Sequence, residues 1–159
     1  MYVKIQGRFF YLIIFIDEYS KYIVHHSLLT AMDADSVSME AQVAIEKLRK
    51  DSIADPIIQS DKGSSFVDME FRIVLRENHL TQKLIRPHKR EQNRIVERAN
   101  KTILESLAPV ILTNYDQVRH EIFKIVEYYN NNRRHSLLNY LTPMQYYRGN
   151  PEEILRIRE

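Results

Sequence analysis

The sequence predicts an α/β domain, on three observations. Residues 9 to 16 form an unbroken run of aromatic and β-branched side chains, the pattern of a strand buried on both faces. After Thr30 the apolar period lengthens from that of a strand to that of a helix. Two short apolar runs, at 56 to 59 and 82 to 85, then alternate with helical stretches. The order is three strands, helix, strand, helix, strand and a series of helices.

Each element has a local reason. Val3 and Ile5, ahead of Gly7, read as the tail of a strand that turns into residues 9 to 16, and residues 22 to 29 read as a third, giving an antiparallel meander. Val37, Ala41, Ala44, Ile45 and Leu48 share one face of a helix from about Asp33 to Lys50. Residues 56 to 59 form a short buried strand that leads into Asp61. A helix from about 66 to 78 turns Phe71, Val74 and Leu75 inward. Residues 86 to 92, with a proline, several charges and no period, read as an exposed loop. From Asn93 onward Ile95, Val96, Ala99, Ile103 and Leu107 repeat at helical spacing until Pro109. Val118, Ile122, Ile125, Val126 and Tyr129 mark a helix over 115 to 130. Two short helices follow at 142 to 148 and 151 to 158, the first opened by Thr142-Pro143.

The chain of 159 residues, 44% hydrophobic, suits one domain with a substantial core. With no cysteine, disulfides and cysteine-ligated zinc are excluded. The longest apolar run is far short of a membrane span, so a soluble, cytoplasmic protein with no membrane partner is expected. The net charge is only +2, but it is unevenly placed. Lys83, Arg86, Lys89, Arg90, Arg94, Arg98 and Lys101 crowd one stretch against Glu91 and Glu97, and Arg133-Arg134-His135 forms a second cluster. Such clusters suit a polyanion, or are solvated surface charge.

Three motifs carry chemistry. Gln59-Ser60-Asp61-Lys62-Gly63-Ser64-Ser65-Phe66 places a carboxylate at the end of a strand, and Gln92-Asn93-Arg94-Ile95-Val96-Glu97-Arg98 places one near the start of a helix, with 35 residues between Asp61 and Glu97. Tyr129, Asn130, Arg133 and His135 form a late Tyr-Asn-x-x-Arg-x-His signature. Taken singly, Asp61 reads as a turn or cap residue before Gly63, and Glu97 as a solvated helix residue. Gly63 either lets backbone approach a substrate or is simple turn chemistry. Asn93 is either an N-cap or a DNA contact. Arg98 and Lys101, one turn apart, could meet phosphate together, although a Glu105 to Lys101 ion pair also fits. His25 and His26 read as structural, and His88 as a loop residue nearer to nucleic acid than to metal.

Together, in this order and at this spacing, the motifs resemble the catalytic core of the retroviral-integrase-like (DDE) insertion-sequence transposases. The resemblance covers about residues 1–148, with 149–159 a C-terminal helical tail. It implies a ribonuclease-H-like fold, a mixed five-stranded sheet flanked by helices, with the strand ending in Asp61 beside the first strand of the meander. It implies a polynucleotidyl transferase for DNA integration and transposition, with Asp61 and Glu97 catalytic and ligating Mg2+ or Mn2+. Lys89, Arg90, Asn93, Arg94, Arg98 and Lys101 would contact DNA, both element ends and target. The partners implied are further copies of the chain or a full-length transposase.

The sequence departs from the family pattern at three places. The family's first aspartate falls, counted back from the turn at Gly7, at Met1 or just upstream of it, where no carboxylate stands; Asp17 resembles a separate aspartate at the end of the second strand. Arg94 replaces the usual glycine, and Lys89-Arg90 a small residue and proline. A shortened, impaired core is therefore expected, with a noncatalytic DNA-binding or assembly fragment that modulates a full-length transposase as the alternative. Another ribonuclease-H-like nuclease is disfavoured by the late signature.

Overall fold

The computed structural model of the chain describes residues 1–53, 55–86 and 90–158, with Arg90 and Gln92 described for their backbone alone. Strands β1 (Tyr2–Ile5), β2 (Arg8–Ile16) and β3 (Ile23–Leu29) form an antiparallel meander, followed by helix α1 (Ala34–Lys50). Then come β4 (Ile57–Ser60), α2 (Ser64–Val67), α3 (Met69–Glu77), β5 (Thr81–Leu84) and a 3-10 turn at Arg90–Asn93. Helices α4 (Arg94–Leu107), α5 (Tyr115–Asn131), α6 (Pro143–Arg148) and α7 (Pro151–Arg158) complete the described chain.

The β1–β2 connection is set by Gln6 and Gly7, both at positive φ (46° and 83°), between the paired residues Ile5 and Arg8. That two-residue turn matches the right-handed twist of the strands it joins. Strand β2 then packs on both sides, because successive side chains alternate. Phe10, Leu12, Ile14 and Ile16 join a core with Ala99, Ile103 and Leu107 of α4 and Val118, Ile122 and Val126 of α5. Ile13 and Phe15 join a second core with Val37, Ala41 and Ile45 of α1 and Phe71 and Leu75 of α3. Of the run expected to be fully buried, only Leu12 and Ile13 are; Phe10, Tyr11 and residues 14–16 are half-buried, and Phe9 is 57% exposed, its ring edge-on to Tyr2.

The expected single five-stranded sheet is instead two sheets among the described residues: β1-β2-β3 and a parallel β4-β5 pair. The physical reason lies at the strand ends. Met1 pairs with Leu12, its ammonium donating to the Leu12 carbonyl (3.1 Å), and that ammonium feels the charge of Asp61, just past the end of β4. The start of β1 and the end of β4 thus lie within charge range of one another, but the two strands share no ladder. The smaller sheet is held by the second core instead, through Ile58 and Leu80.

The helix expected over 66 to 78 is broken at Asp68, which is extended (φ −64°, ψ 154°) and accepts from the Glu70 N–H (3.0 Å) as the N-cap of α3. An aspartate that caps competes with helix continuation, and here the cap prevails. The end of the expected loop over 86 to 92 is the 3-10 turn that leads into α4, while residues 87–89 lie outside the described residues.

Asn130 of the late signature fastens α5 to the meander. Its Oδ1 accepts from the Ile23 N–H (2.9 Å) and its Nδ2 donates to the Ile23 carbonyl (3.0 Å), all buried. The register slips between Phe15 and Ile16 of β2, opposite this point, and the Ile23 N–H and carbonyl are satisfied by the Asn130 side chain. Asn130→Leu should cost about 2–4 kcal/mol, because both Ile23 groups are left buried and unpaired, whereas exposed Asn131→Leu on the same helix should cost under about 1 kcal/mol; urea unfolding of the two variants checks this.

Candidate active site

Asp61 leaves the end of β4 exposed to solvent, and its Oδ1 accepts from the Gly63 N–H at 2.9 Å. Gly63 has an ordinary negative φ, so left-handed backbone is not what requires glycine here. Closeness is: a Cβ at position 63 would stand 3.0 Å from the Asp61 Oδ1 and 3.4 Å from the Phe66 ring. The glycine thus leaves room for the aspartate carboxylate. Both sides of this segment are anchored. Ser65 donates to the Met32 carbonyl (2.6 Å), and the Gln82 amide donates to Ser60 Oγ (3.0 Å) and to the Phe66 carbonyl (2.8 Å). Sequence reasoning missed Gln82, whose role depends on the parallel register that puts Gln82 beside Ile58 on β4.

Glu97 lies exposed in the first turn of α4, where the positive end of the helix dipole favours a carboxylate. Asn93 occupies the N-cap position but in helical backbone (φ −108°, ψ −1°) and makes no side-chain cap bond. The reading of Asn93 as a plain capping side chain is corrected: the preceding 3-10 turn carries the chain into the helix, which removes the extended geometry a capping side chain uses. Arg94 and Arg98 are exposed on the first turns of α4; Lys101 is exposed and pairs with Glu105 at 3.7 Å, an ion pair worth little in water. Lys89 and His88 lie outside the described residues, as does the side chain of Arg90.

Asp17 is occupied elsewhere. Its Oδ2 accepts from the Ser20 N–H (2.7 Å) and Ser20 Oγ (2.5 Å), closing the β2–β3 turn. Met1, whose ammonium feels Asp61, is opposite Leu12, and Asp17 is further along β2 by five residues, roughly 17 Å of extended chain. His25 bridges β3 and α1, its Nε2 on Glu40 Oε2 (2.5 Å) and its Nδ1 accepting from Lys47 (2.9 Å), a structural role as expected.

A divalent cation of the kind expected here takes oxygen ligands, and exposed Asp61 and Glu97 fit that donor chemistry. Number is another matter: among the described residues no three His, Cys, Asp or Glu side chains gather as a metal-holding group. The structure therefore supplies the donor type without a complete three-carboxylate set.

The other end of the site is cationic. Burial first, and then the charges of Arg133, Lys21 and Arg98, push the His135 pKa down to about 4. Its ring meets that of Tyr129 edge-on (5.0 Å, 75°), and its buried Nε2 has no hydrogen-bond partner. Arg133 and His135 were legible as a basic cluster; Lys21 was not, because only the β2–β3 turn brings it there.

The profile of the integrase core domain family matches residues 1–90, and a second integrase core domain profile matches residues 78–143. The chain belongs to the integrase core domain family. No match was found among curated proteins. Among solved structures, it is similar to a chain of the simian T-cell lymphotropic virus intasome in complex with PP2A regulatory subunit B56 gamma (14% identity, TM-score 0.78, covering 94% of this chain and 52% of that one). It is also similar to the HTLV-2 integrase catalytic core domain in complex with magnesium, in its dimeric form (18% identity, TM-score 0.72, 94% and 91% covered) and its trimeric form (17%, 0.73, 92% and 90%). The chain spans about half the length of the first of these and nearly all of the catalytic cores. At such identities the likeness defines the fold, which is the ribonuclease-H-like α/β fold.

A histidine that is neutral when folded makes stability depend on pH. His135, and His26 at about 4 through burial and then the charges of His25 and Lys47, ordinarily titrate near 6.5 when unfolded. Their contribution is fully present above pH 6.5 and is lost as the pH falls toward 4, since the unfolded chain takes up protons first. Urea midpoints of the parent chain should therefore drop between pH 7 and pH 4.5 by more than those of His26→Gln and His135→Gln.

Proposed function

We propose that this chain is a transposase or integrase catalytic core that acts on DNA phosphodiesters, cleaving them and transferring strands with Mg2+ or Mn2+. The reading is supported above all by the family match over the part of the chain that carries Asp61, continued by a second match over the part that carries Glu97. In this reading Asp61 and Glu97 are the catalytic and metal-binding carboxylates. A cation held there would, when bound, neutralise charge on the attacking and leaving oxygens. Asp61 is suited to hold it by its fixed seat between β4 and Gly63, and Glu97 by its place on a rigid helix; both are open to solvent and substrate. Lys89, Arg90, Asn93, Arg94, Arg98 and Lys101 bind the DNA of element ends and target. The core comprises residues 1–148, with 149–159 a helical tail, and it works in the cytoplasm as a homo-oligomer or with a full-length transposase. No described helix is long and apolar enough to cross a membrane.

One observation favours a second reading, a noncatalytic DNA-binding or assembly fragment that modulates a full-length transposase: among the described residues no three His, Cys, Asp or Glu side chains gather as a metal-holding group. A cation missing one ligand loses both charge stabilisation and in-line geometry.

The two readings separate on a labelled, precut DNA end incubated with Mn2+ and resolved on a gel. The chain should bind the end yet join little of it. A short N-terminal extension that places an aspartate ahead of Tyr2 should raise joining at least tenfold, and Asp61→Asn or Glu97→Gln should abolish that gain; an Arg94→Gly companion checks that this residue is not itself the block. If the extended chain binds and never joins, the noncatalytic reading stands. Robust joining by the unextended chain that disappears in Asp17→Asn would reassign the first carboxylate. For binding itself, about four phosphate contacts give a slope of log K against log salt of about −3.6, which should shrink toward zero when Lys89, Arg90, Arg94 and Arg98 become alanine.

A further inference from the structure

Outside the carboxylates, the molecule carries an open cavity of about 580 Å³ at the β2–β3 turn, lined by Glu18, Tyr19, Lys21, Leu137, Leu138 and Tyr146. Its volume is that of a small-molecule site, roughly 300–1,000 Å³. Three separate segments build it: the turn, the short 3-10 turn Ser136–Leu138 and α6. Its floor is aromatic. The Tyr19 and Tyr146 rings lie 5.0 Å apart and tilted by 58°, and Tyr19 is 70% exposed, so the pair is open to solvent. Leu137, 72% exposed, adds apolar rim.

Its electrostatics are lopsided. Lys21, whose ammonium is tied to the Glu18 carbonyl, lines the cavity and also acts by its charge on His135, as do Arg133 and Arg98. His135 immediately precedes the 3-10 turn that forms the wall. Positive charge is thus fixed along the His135 side, with the Glu18 carboxylate the one acid of the lining. An open aromatic face beside a cationic rim is the pairing that single-stranded nucleic acid requires: a base stacks on the ring while its phosphate meets the cations. A duplex hides its base faces in its own stack and could use only the cations.

We propose that this cavity binds an unpaired nucleotide of a DNA strand, its base stacked on Tyr19 against Tyr146 and its phosphate directed to Lys21 and Arg133. The proposal deepens the DNA-acting reading and rests on it. Arg98 links the two regions, one residue from Glu97 in sequence and acting by its charge on His135. The unpaired segment beside a cut end is the chemical species that fits.

Three labelled DNAs separate the contributions by fluorescence anisotropy: a 12-nucleotide oligodeoxythymidylate, an abasic strand of equal length and a duplex. The chain should prefer the thymidylate to the abasic strand about tenfold. Tyr19→Ala, at an exposed position that the fold does not need, should erase that preference while duplex binding stays unchanged. Lys21→Gln should weaken thymidylate and abasic strand alike. Because the chain has no tryptophan, Tyr19→Trp gives a single emission that thymidylate quenches and the abasic strand does not. Equal binding of the two strands, or a preference that survives Tyr19→Ala, would overturn the inference while leaving duplex binding, and the DNA-acting reading, intact. Failure of all three DNAs to bind would overturn both. A change of sedimenting mass in Tyr19→Ala with oligonucleotide binding untouched would assign the patch to a second copy of the chain, against the inference.

Discussion

Strand β2 is the constraint on which the rest of the molecule depends. Nine residues long and central in its sheet, it sends alternate side chains into two separate cores, Leu12 into the one built by α4 and α5 and Ile13 into the one built by α1 and α3. A slip of one residue would exchange those two sets and leave neither core packed. The turn at Gln6-Gly7 and the bulge at Phe15/Ile16 pin the register at both ends. Both candidate carboxylates are positioned by elements resting on this strand: Asp61 by the sheet under the second core, Glu97 by the helix over the first.

That arrangement explains why much of the fold was legible. Where a helix has a continuous apolar face and a capping residue ahead of it, its bounds are local properties. Asp33 accepts from the Ser36 N–H (2.9 Å), and all five expected inward residues of α1 are buried. Pairing is not local. Nothing in Ile57–Ser60 itself states that among the described residues it pairs with β5 alone, and the five-stranded expectation failed there, because β1 and β4 share no ladder. Asp68 failed differently: the Phe71, Val74 and Leu75 face was read correctly, but a capping aspartate between Phe66 and Phe71 split the helix without disturbing it.

The site shows the same division. Asp61 and Glu97 stand out in the sequence through their flanking residues, since a strand end before Gly63 and a first helical turn are recognisable local environments. What holds them does not stand out. Ser65 reaches back to the Met32 carbonyl, Gln82 ties Ser60 to Phe66, and Asn130 grips Ile23 across 107 positions of sequence. The late signature that served to recognise the family is thus, in large part, structural: Tyr129 fills the first core, Asn130 fastens a helix to a strand, and His135 closes the chain against Leu141.

His135 shows how structure and charge are coupled at that end of the molecule. Surrounded by Arg133, Lys21 and Arg98, it stays neutral at physiological pH, so the cations around it keep their full field instead of sharing it with a fourth charge. Its own ring meanwhile meets Tyr129, and its backbone carbonyl accepts from the Leu138 and Tyr140 N–H groups of the following turn. A lysine in its place would remain charged and repel its neighbours, and a carboxylate would cancel them. A partly buried imidazole fills the space, makes the aromatic contact and leaves the surrounding positive potential directed outward, where a phosphate can meet it.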